Sequence, residues 1–190
     1  MAQYNAMSPG EWTIRAAGAE DASAIAQVHV ESWRTTYNGI FPQNLLDQLS
    51  VSDRAANWSK ILQQPAARFF MLVACDDAEK VVGFICGGQE RTGQLGCDGE
   101  LHAIYLLEST QRRGLGTLLV RNFVRELRLM GFHSMAVWVL VSNPSRKFYE
   151  ALGGTPIREQ QIERGGETFV EIAYGWNDLS IFEAQPTSGR

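Results

Sequence analysis

Between residues 100 and 141 the hydrophobic period changes twice, and no other feature restricts the fold as much. Glu100–Leu107 reads as a strand, and from Leu119 the apolar residues fall at helical spacing. Leu119, Val120, Phe123, Val124, Leu127 and Met130 form one stripe, Arg121, Arg125, Glu126 and Arg128 take the opposite face, and Gly131 is placed to end the helix. Met135–Val141 follows as an almost unbroken apolar run, the pattern of a strand covered on both faces. Strand, helix and strand in this order make a βαβ unit, whose crossover forces the two strands to run parallel.

The flanking segments build an α/β domain around that unit. Trp12–Ala16 is predicted as a short strand, and Glu20-Asp21 opens a helix with an apolar face from Ala22, Ile25, Ala26, Val28 and His29 to Trp33. A second helix is expected over Gln43–Leu49 and a third from Asp53, read as its cap, to Leu62. Phe69–Ala74 and Val81–Cys86 form a hairpin turned at Asp76-Asp77, and Gly87–Gly99, with five glycines, reads as a loop. Later, Asn143 caps a short helix with Pro144 at its first position, and strands Pro156–Ile162 and Glu167–Trp176 are joined by Arg164-Gly165-Gly166. The expected organisation is a flexible arm over 1–10, a single domain over 11–178 and a tail over 179–190.

Bulk properties narrow the function classes. A chain of 190 residues suits one core, and 45% hydrophobic with 20% charged residues is the balance of a folded soluble domain. The net charge of -4 offers no basic excess for neutralising phosphates, so general nucleic-acid binding is not expected, although a local basic cluster remains compatible. Cys75, Cys86 and Cys97 are odd in number and without a C-x-x-C pair, which points to reduced thiols rather than a disulfide framework or a zinc site. The N-terminal MAQYNAMSPGEW has no positive start and no apolar run, so no secretory leader is expected. No stretch approaches the length of a membrane span, and the expected location is the cytoplasm.

The chemistry is concentrated in Gln111-Arg112-Arg113-Gly114-Leu115-Gly116-Thr117, between the first parallel strand and the amphipathic helix. A helix N-terminus presents unpaired N–H groups and a partial positive charge, and glycines there admit a pyrophosphate close to the backbone. A Walker loop would need lysine after the last glycine, where Thr117 stands, and the dinucleotide fingerprint would need a third glycine at Leu119. By itself the motif reads either as a phosphate loop or as a tight turn with incidental arginines.

Gln111-x-x-Gly114-x-Gly116, directly after Ile104-Tyr105-Leu106, resembles the acetyl-CoA signature Q/R-x-x-G-x-G/A of the GNAT superfamily of N-acetyltransferases. Val141-Ser142-Asn143-Pro144-Ser145-Arg146-Lys147-Phe148-Tyr149 resembles that family's second conserved block, and VHVESWRTTYNGIFP is similar to the first helices of many bacterial members. The likeness spans about Trp12 to Trp176 in the family's order of elements. Glu108 departs from it, since many members carry proline there. The resemblance implies the GNAT fold: α/β, a mixed sheet of six to seven strands flanked by about four helices, with parallel strands 4 and 5 splayed apart. It implies acetyl-CoA as cosubstrate, an amine as acceptor, no metal, no nucleic acid and no membrane, with a homodimer allowed.

Residue by residue, the resemblance assigns the pyrophosphate to the amides from Gln111 through Leu115 to Thr117, with Arg112 and Arg113 near the phosphates. The pantetheine arm is to pair with the backbone around Ile104 and Leu106, with Asn143 and Arg146 on the same side. The Leu106 N–H is to polarise the thioester carbonyl and Tyr149 to protonate the leaving thiolate, its ordinary pKa of about 10 keeping it protonated at neutral pH. Tyr149 reads equally as a core residue beside Phe148 and Leu152. Glu100 is the first choice of general base, with His102 on the same strand face; each also reads as a polar residue at the surface end of a strand, and for His102 that is the better reading. Glu31, Trp33, Tyr37 and His102 are expected to line the acceptor site, where a carboxylate among aromatics suits a cationic amine. Trp33 reads as core no less well, and His29 and His133 read as structural. Two other classes stay open at this level: an acyl-CoA sensor that keeps the grip without catalysis, and an interaction domain that binds no nucleotide.

Overall fold

The computed structural model describes residues 12–64 and 68–183. Seven strands form one sheet in the order β1-β2-β3-β4-β5-β7-β6. They are β1 (Thr13–Ala16), β2 (Phe69–Cys75), β3 (Val81–Gln89), β4 (Gly99–Leu106), β5 (Met135–Leu140), β6 (Thr155–Arg164) and β7 (Glu167–Trp176). Only β4 and β5 run parallel, as their crossover requires; the other pairs are antiparallel. The helices are α1 (Ala22–Thr36), α2 (Gln43–Asp47), α3 (Val51–Gln63), α4 (Leu115–Leu129) and α5 (Arg146–Ala151).

Two apolar layers sandwich the sheet. The α4 stripe of Leu115, Leu119, Phe123 and Leu127 is fully buried against Ile85, Leu101, Met135 and Val137. Each such side chain contributes about 1.5–3 kcal/mol relative to exposure. On the opposite face, Ile25 and Val28 of α1 and Trp58 of α3 pack on Met71, Val73 and Phe84. A third cluster joins Phe41 and Leu46 to Leu140, beside Ile162 and Phe169 of the β6–β7 hairpin.

The strand pair at the centre opens as a fork. β4 and β5 are joined only through Gly99–Met135, Glu100–Ala136 and Leu101–Val137. In the β3–β4 ladder Cys86 faces Ala103 and Gly87 faces Leu101, which leaves His102 as an extra residue in β4. A bulge bends its strand and strengthens the twist, and here it coincides with the point where β4 leaves β5. It also resets the faces: Leu101, Ile104 and Leu106 pack with α4, whereas Ala103 and Tyr105 pack with α1 and α3.

Three local expectations change. β3 continues through Gly87 and Gly88 instead of ending at Cys86. A Cβ on Gly87 would stand 2.1 Å from the Glu100 carbonyl oxygen, and one on Gly88 would stand 1.9 Å from that of Arg68, so these glycines allow close strand approach rather than forming a loop. Helix α3 is capped by Ser50, whose hydroxyl accepts from the Asp53 amide at 3.2 Å, which places Asp53 inside the first turn. Within the expected tail, Leu179–Phe182 forms a 3-10 turn, Leu179 is buried, and its amide donates to the His133 carbonyl at 2.9 Å. The expected arm over 1–10 and the end of that tail lie outside the described residues.

Candidate active site

The end of β4 anchors the site. The Leu107 amide donates to the Val82 carbonyl in β3 at 2.9 Å, and alternation along the strand turns the Leu106 amide the other way, toward the fork. The Leu106 carbonyl accepts from the Ser32 hydroxyl of α1 at 2.9 Å and from the Gln111 side-chain amide at 3.0 Å. The first residue of the glycine motif therefore ties its loop back to the strand it follows.

Backbone geometry then aims that loop. Arg112 has φ 57° and Gly114 φ 88°, and α4 starts at Leu115 directly after Gly114. The amides of Leu115, Gly116 and Thr117 occupy the first helical turn, where no intrahelical acceptor exists and the dipole is positive. The Leu115 side chain is in the core, so only its backbone belongs to the site. Gly116 lies against α5: a Cβ there would stand 3.3 Å from the Phe148 ring. Arg112 and Lys147 line the adjoining cleft, but Arg113 does not. Its guanidinium lies over the Trp12 ring at 5.1 Å, in a separate small pocket with Asp76, Asp77 and Lys80.

A cleft of about 1180 Å³ occupies the fork, lined by Ile104 and Leu106 on β4 and by Trp138 and Leu140 on β5. Asn143 closes one side, buried, its Oδ1 accepting from the Ser145 amide at 2.8 Å. Tyr149 also lines the cleft, wedged against Phe148 with Tyr174 and Trp176 behind it, and burial pushes its pKa above the ordinary tyrosine value. Arg146 lies outside the cleft, where its charge is felt by Tyr174.

Glu100 and His102 meet at the other end of the fork. The Glu100 carboxylate is 1% exposed and held by Arg91 alone three times: by the amide at 3.2 Å, by Nε at 3.0 Å, and by a short contact from a terminal nitrogen. His102 stacks on Phe69 with centroids 5.9 Å apart, and its Nε2 has no hydrogen-bond partner and lies 3.8 Å from Glu100. Burial, and then repulsion from Arg91, lower the His102 pKa, against opposing pulls from Glu100 and the Gln89 backbone. Burial thus favours the neutral imidazole, with its Nε2 buried and unpartnered among the described residues.

An aromatic wall lies toward Tyr105, Leu140 and Asn143, at the open end of the fork. Trp33, Tyr37 and Phe41 are in contact, Trp33 tilted on Tyr37 with centroids 4.9 Å apart and Tyr37 stacked on Phe41 with centroids 4.8 Å apart, and all three line the cleft. Glu31 does not join them; it is exposed on α1 and accepts from Gln27.

Several residues were not legible beforehand. Tyr105 lines the cleft and stacks on His29 at 5.0 Å, and burial drives its pKa well above the ordinary value. The Tyr37 pKa is also raised by burial, partly offset by hydrogen bonds from Tyr105 and Asn143. Strand alternation from Ala103 was the available signal for Tyr105. Arg91, inside the glycine-rich stretch, gave none.

Comparison with known proteins agrees with this geometry. Residues 27–154 match the model of the Acetyltransferase (GNAT) family. An uncharacterised N-acetyltransferase of Bacillus subtilis (strain 168), YuaI, is 42% identical over 172 residues, covering 90% of this chain and 96% of that one. Among solved structures, a GNAT superfamily phosphinothricin acetyltransferase from Sinorhizobium meliloti in complex with AcCoA superposes with TM-score 0.66 at 22% identity, covering 94% of this chain and 95% of that one. The PaiA N-acetyltransferase of Thermoplasma acidophilum, in complex with coenzyme A, gives TM-score 0.62 at 19% identity over 87% of this chain and 98% of its own. With the forked parallel strands, the glycine loop at the start of α4 and these relatives taken together, the chain belongs to the GNAT family of N-acetyltransferases.

Proposed function

We propose that the protein transfers the acetyl group of acetyl-CoA directly to a primary amine of a small molecule or peptide, both substrates being bound together in the cleft. The observation that carries this reading is the fork itself: a strand end whose Leu106 amide faces the gap, followed, after a 3-10 turn over Glu108–Thr110 and the glycine loop, by the first turn of α4 with no side-chain cap. Acetyl-CoA, when bound, supplies an electrophilic thioester. The amides of Leu115, Gly116 and Thr117 would hold its pyrophosphate with Arg112 alongside, and the Leu106 amide would polarise its carbonyl oxygen. The free thiols of Cys75, Cys86 and Cys97 fit a reducing cytoplasm.

Proton traffic needs two groups. As the amine nitrogen bonds to the acyl carbon and the carbon–sulfur bond breaks, one proton leaves nitrogen and one reaches sulfur. Tyr149 is the donor to sulfur, kept protonated by its burial. For the acceptor, the surroundings favour His102 over Glu100. Arg91 occupies three acceptor positions of Glu100, whereas burial favours the neutral form of His102, with one nitrogen unpartnered. Glu100 then serves by fixing Arg91 and by stabilising the imidazolium.

The test is release of free thiol from acetyl-CoA with a panel of amines, run beside calorimetry of acetyl-CoA binding. Amine-dependent thiol release supports transfer. Binding without release by any amine would instead favour the acyl-CoA sensor, and absence of both would overturn the cofactor assignment.

A further inference from the structure

The half of the cleft away from α4 has its own chemistry. Arg91, Thr92 and Gln94 line the cleft, as do Trp33, Tyr37 and Phe41, which pack by Leu140 and Phe169. Its remaining surface includes Arg158, Gln160, Ile162 and Arg164, one face of β6 at the period of two. The charges there are unequal. Arg91 is neutralised by Glu100, burial favours the neutral form of His102, and the Glu171 carboxylate accepts from the Gln160 amide at 3.1 Å. Arg158 makes one bond, to the Gln94 carbonyl at 3.2 Å, which leaves most of its five donors open. Among the described residues no carboxylate pairs with Arg158 or Arg164.

The sheet register places Arg158 near the chemistry. Arg158 pairs with Ala173, and Ala173 pairs with Trp138, the first residue of β5 beyond its last pair with β4. Arg158 thus stands level with the opening of the fork and with His102, across three strand steps and so at least about 14 Å away between backbones. Its long side chain crosses part of that gap, as the bond to Gln94 shows.

We infer that Arg158 binds an acidic group on the acceptor, so that the substrate is a small amine that also carries a carboxylate or comparable acid. This deepens the acetyl-transfer reading and rests on it. The amine lies toward His102 and the acid toward Arg158, whose planar fork matches a carboxylate with two parallel hydrogen bonds. A polycation would instead meet Arg158 and Arg164 beside Glu171, with Glu108 as the other cleft-lining carboxylate that no arginine among the described residues holds, since Glu100 is already occupied.

The experiment compares L-phenylalanine and L-methionine with their carboxamides, and with the phosphonate analogue of phenylalanine, by thiol release. Calorimetry of N-acetyl-L-phenylalanine and its amide, with coenzyme A present, gives a second readout that does not depend on turnover. Wild type is expected to favour the acids over the amides by about 10–100-fold in kcat/KM, the worth of charge-assisted hydrogen bonds. Arg158→Gln should bring that ratio near one for turnover and for binding, while Arg158→Lys keeps part of it. A preference for the phosphonate identifies the acid but leaves the assignment intact. Equal handling of acid and amide by wild type, or a ratio unchanged in Arg158→Gln, overturns it. If no amine reacts yet the N-acetyl acid binds through Arg158, the transfer reading fails and the acid site survives; if neither occurs, both fail.

Discussion

The Arg91 guanidinium grips both carboxylate oxygens of Glu100, through Nε on one at 3.0 Å and through a terminal nitrogen on the other. The pair ties the segment after β3 to the base of the fork, beside His102. Glu100→Gln should therefore act mainly on structure, costing about 1 kcal/mol because Arg91 is largely exposed, and raising KM for the amine. His102→Gln should lower kcat by about 10²–10⁴ and remove the acid limb of the pH–rate profile. Since burial holds the His102 pKa below its ordinary value, that limb should lie below about pH 6.5. A limb abolished by Glu100→Gln and kept by His102→Gln would reverse the two roles.

Tyr149→Phe is expected to reduce kcat by about 10²–10⁴ with acetyl-CoA affinity unchanged, because only the proton for sulfur is lost. Single-turnover rates and calorimetry separate the two effects. Unchanged single-turnover chemistry would leave Tyr149 as a packing residue.

The two motif glycines should fail for different reasons. Gly114 has open space but φ 88°, so Gly114→Val carries about 1–3 kcal/mol of backbone strain and Gly114→Asn, which tolerates that region, considerably less. Gly116 has ordinary backbone and little room: valine would press on Phe148 and Leu106 and intrude where the pyrophosphate approaches. Calorimetry should show acetyl-CoA binding recovered in Gly114→Asn relative to Gly114→Val. Normal binding by Gly116→Val would move the phosphates elsewhere.

His29 predicts an acid weakness. Burial, with Arg54 nearby, lowers its pKa to about 4, and Trp58 donates to its Nδ1 at 3.2 Å. The unfolded chain, with an ordinary value of about 6.5, then binds the extra proton first as pH falls. Stability should be fully present above about pH 6.5 and decline toward pH 4 with a slope approaching 1.4 kcal/mol per unit. The lowered pKa of Asp21, paired with Arg15, acts at lower pH, whereas His102, whose pKa burial also lowers, adds its own loss in this window. The slope of urea midpoints between pH 4.5 and 7.5 should become shallower in His29→Gln, the remainder belonging to His102, and an unchanged slope would exclude His29 as a cause.

What the sequence disclosed was whatever repeats with a period. The α4 stripe and the apolar run of β5 identified the βαβ unit because burial on one face, or on two, leaves a regular trace. Gly87 and Gly88 misled, since a glycine admitted for close contact between strands looks the same in sequence as one admitted for a turn. The extra residue at His102 was hidden for a related reason: alternation assumes an unbroken ladder, and a bulge breaks it without altering composition. Arg113 and Arg112 were indistinguishable in the motif, and only the nearness of Trp12 and the sign of one φ angle sent their side chains different ways. Long-range partners such as Arg91 for Glu100 depend on tertiary placement that no local pattern records.

Two donors meet at one oxygen: the Leu106 carbonyl receives Ser32 from the far end of α1 and Gln111 from the loop before α4. On the proposed assignment of the two substrates, a single atom links their compartments. Ordering of the loop by one substrate must be felt at α1, and the reverse must hold to the same degree, since coupling between binding events is reciprocal. The two substrates should consequently show linked affinities, each sharpening the other's dissociation constant by one common factor, and Ser32→Ala should shrink that factor while leaving each compartment's own lining in place.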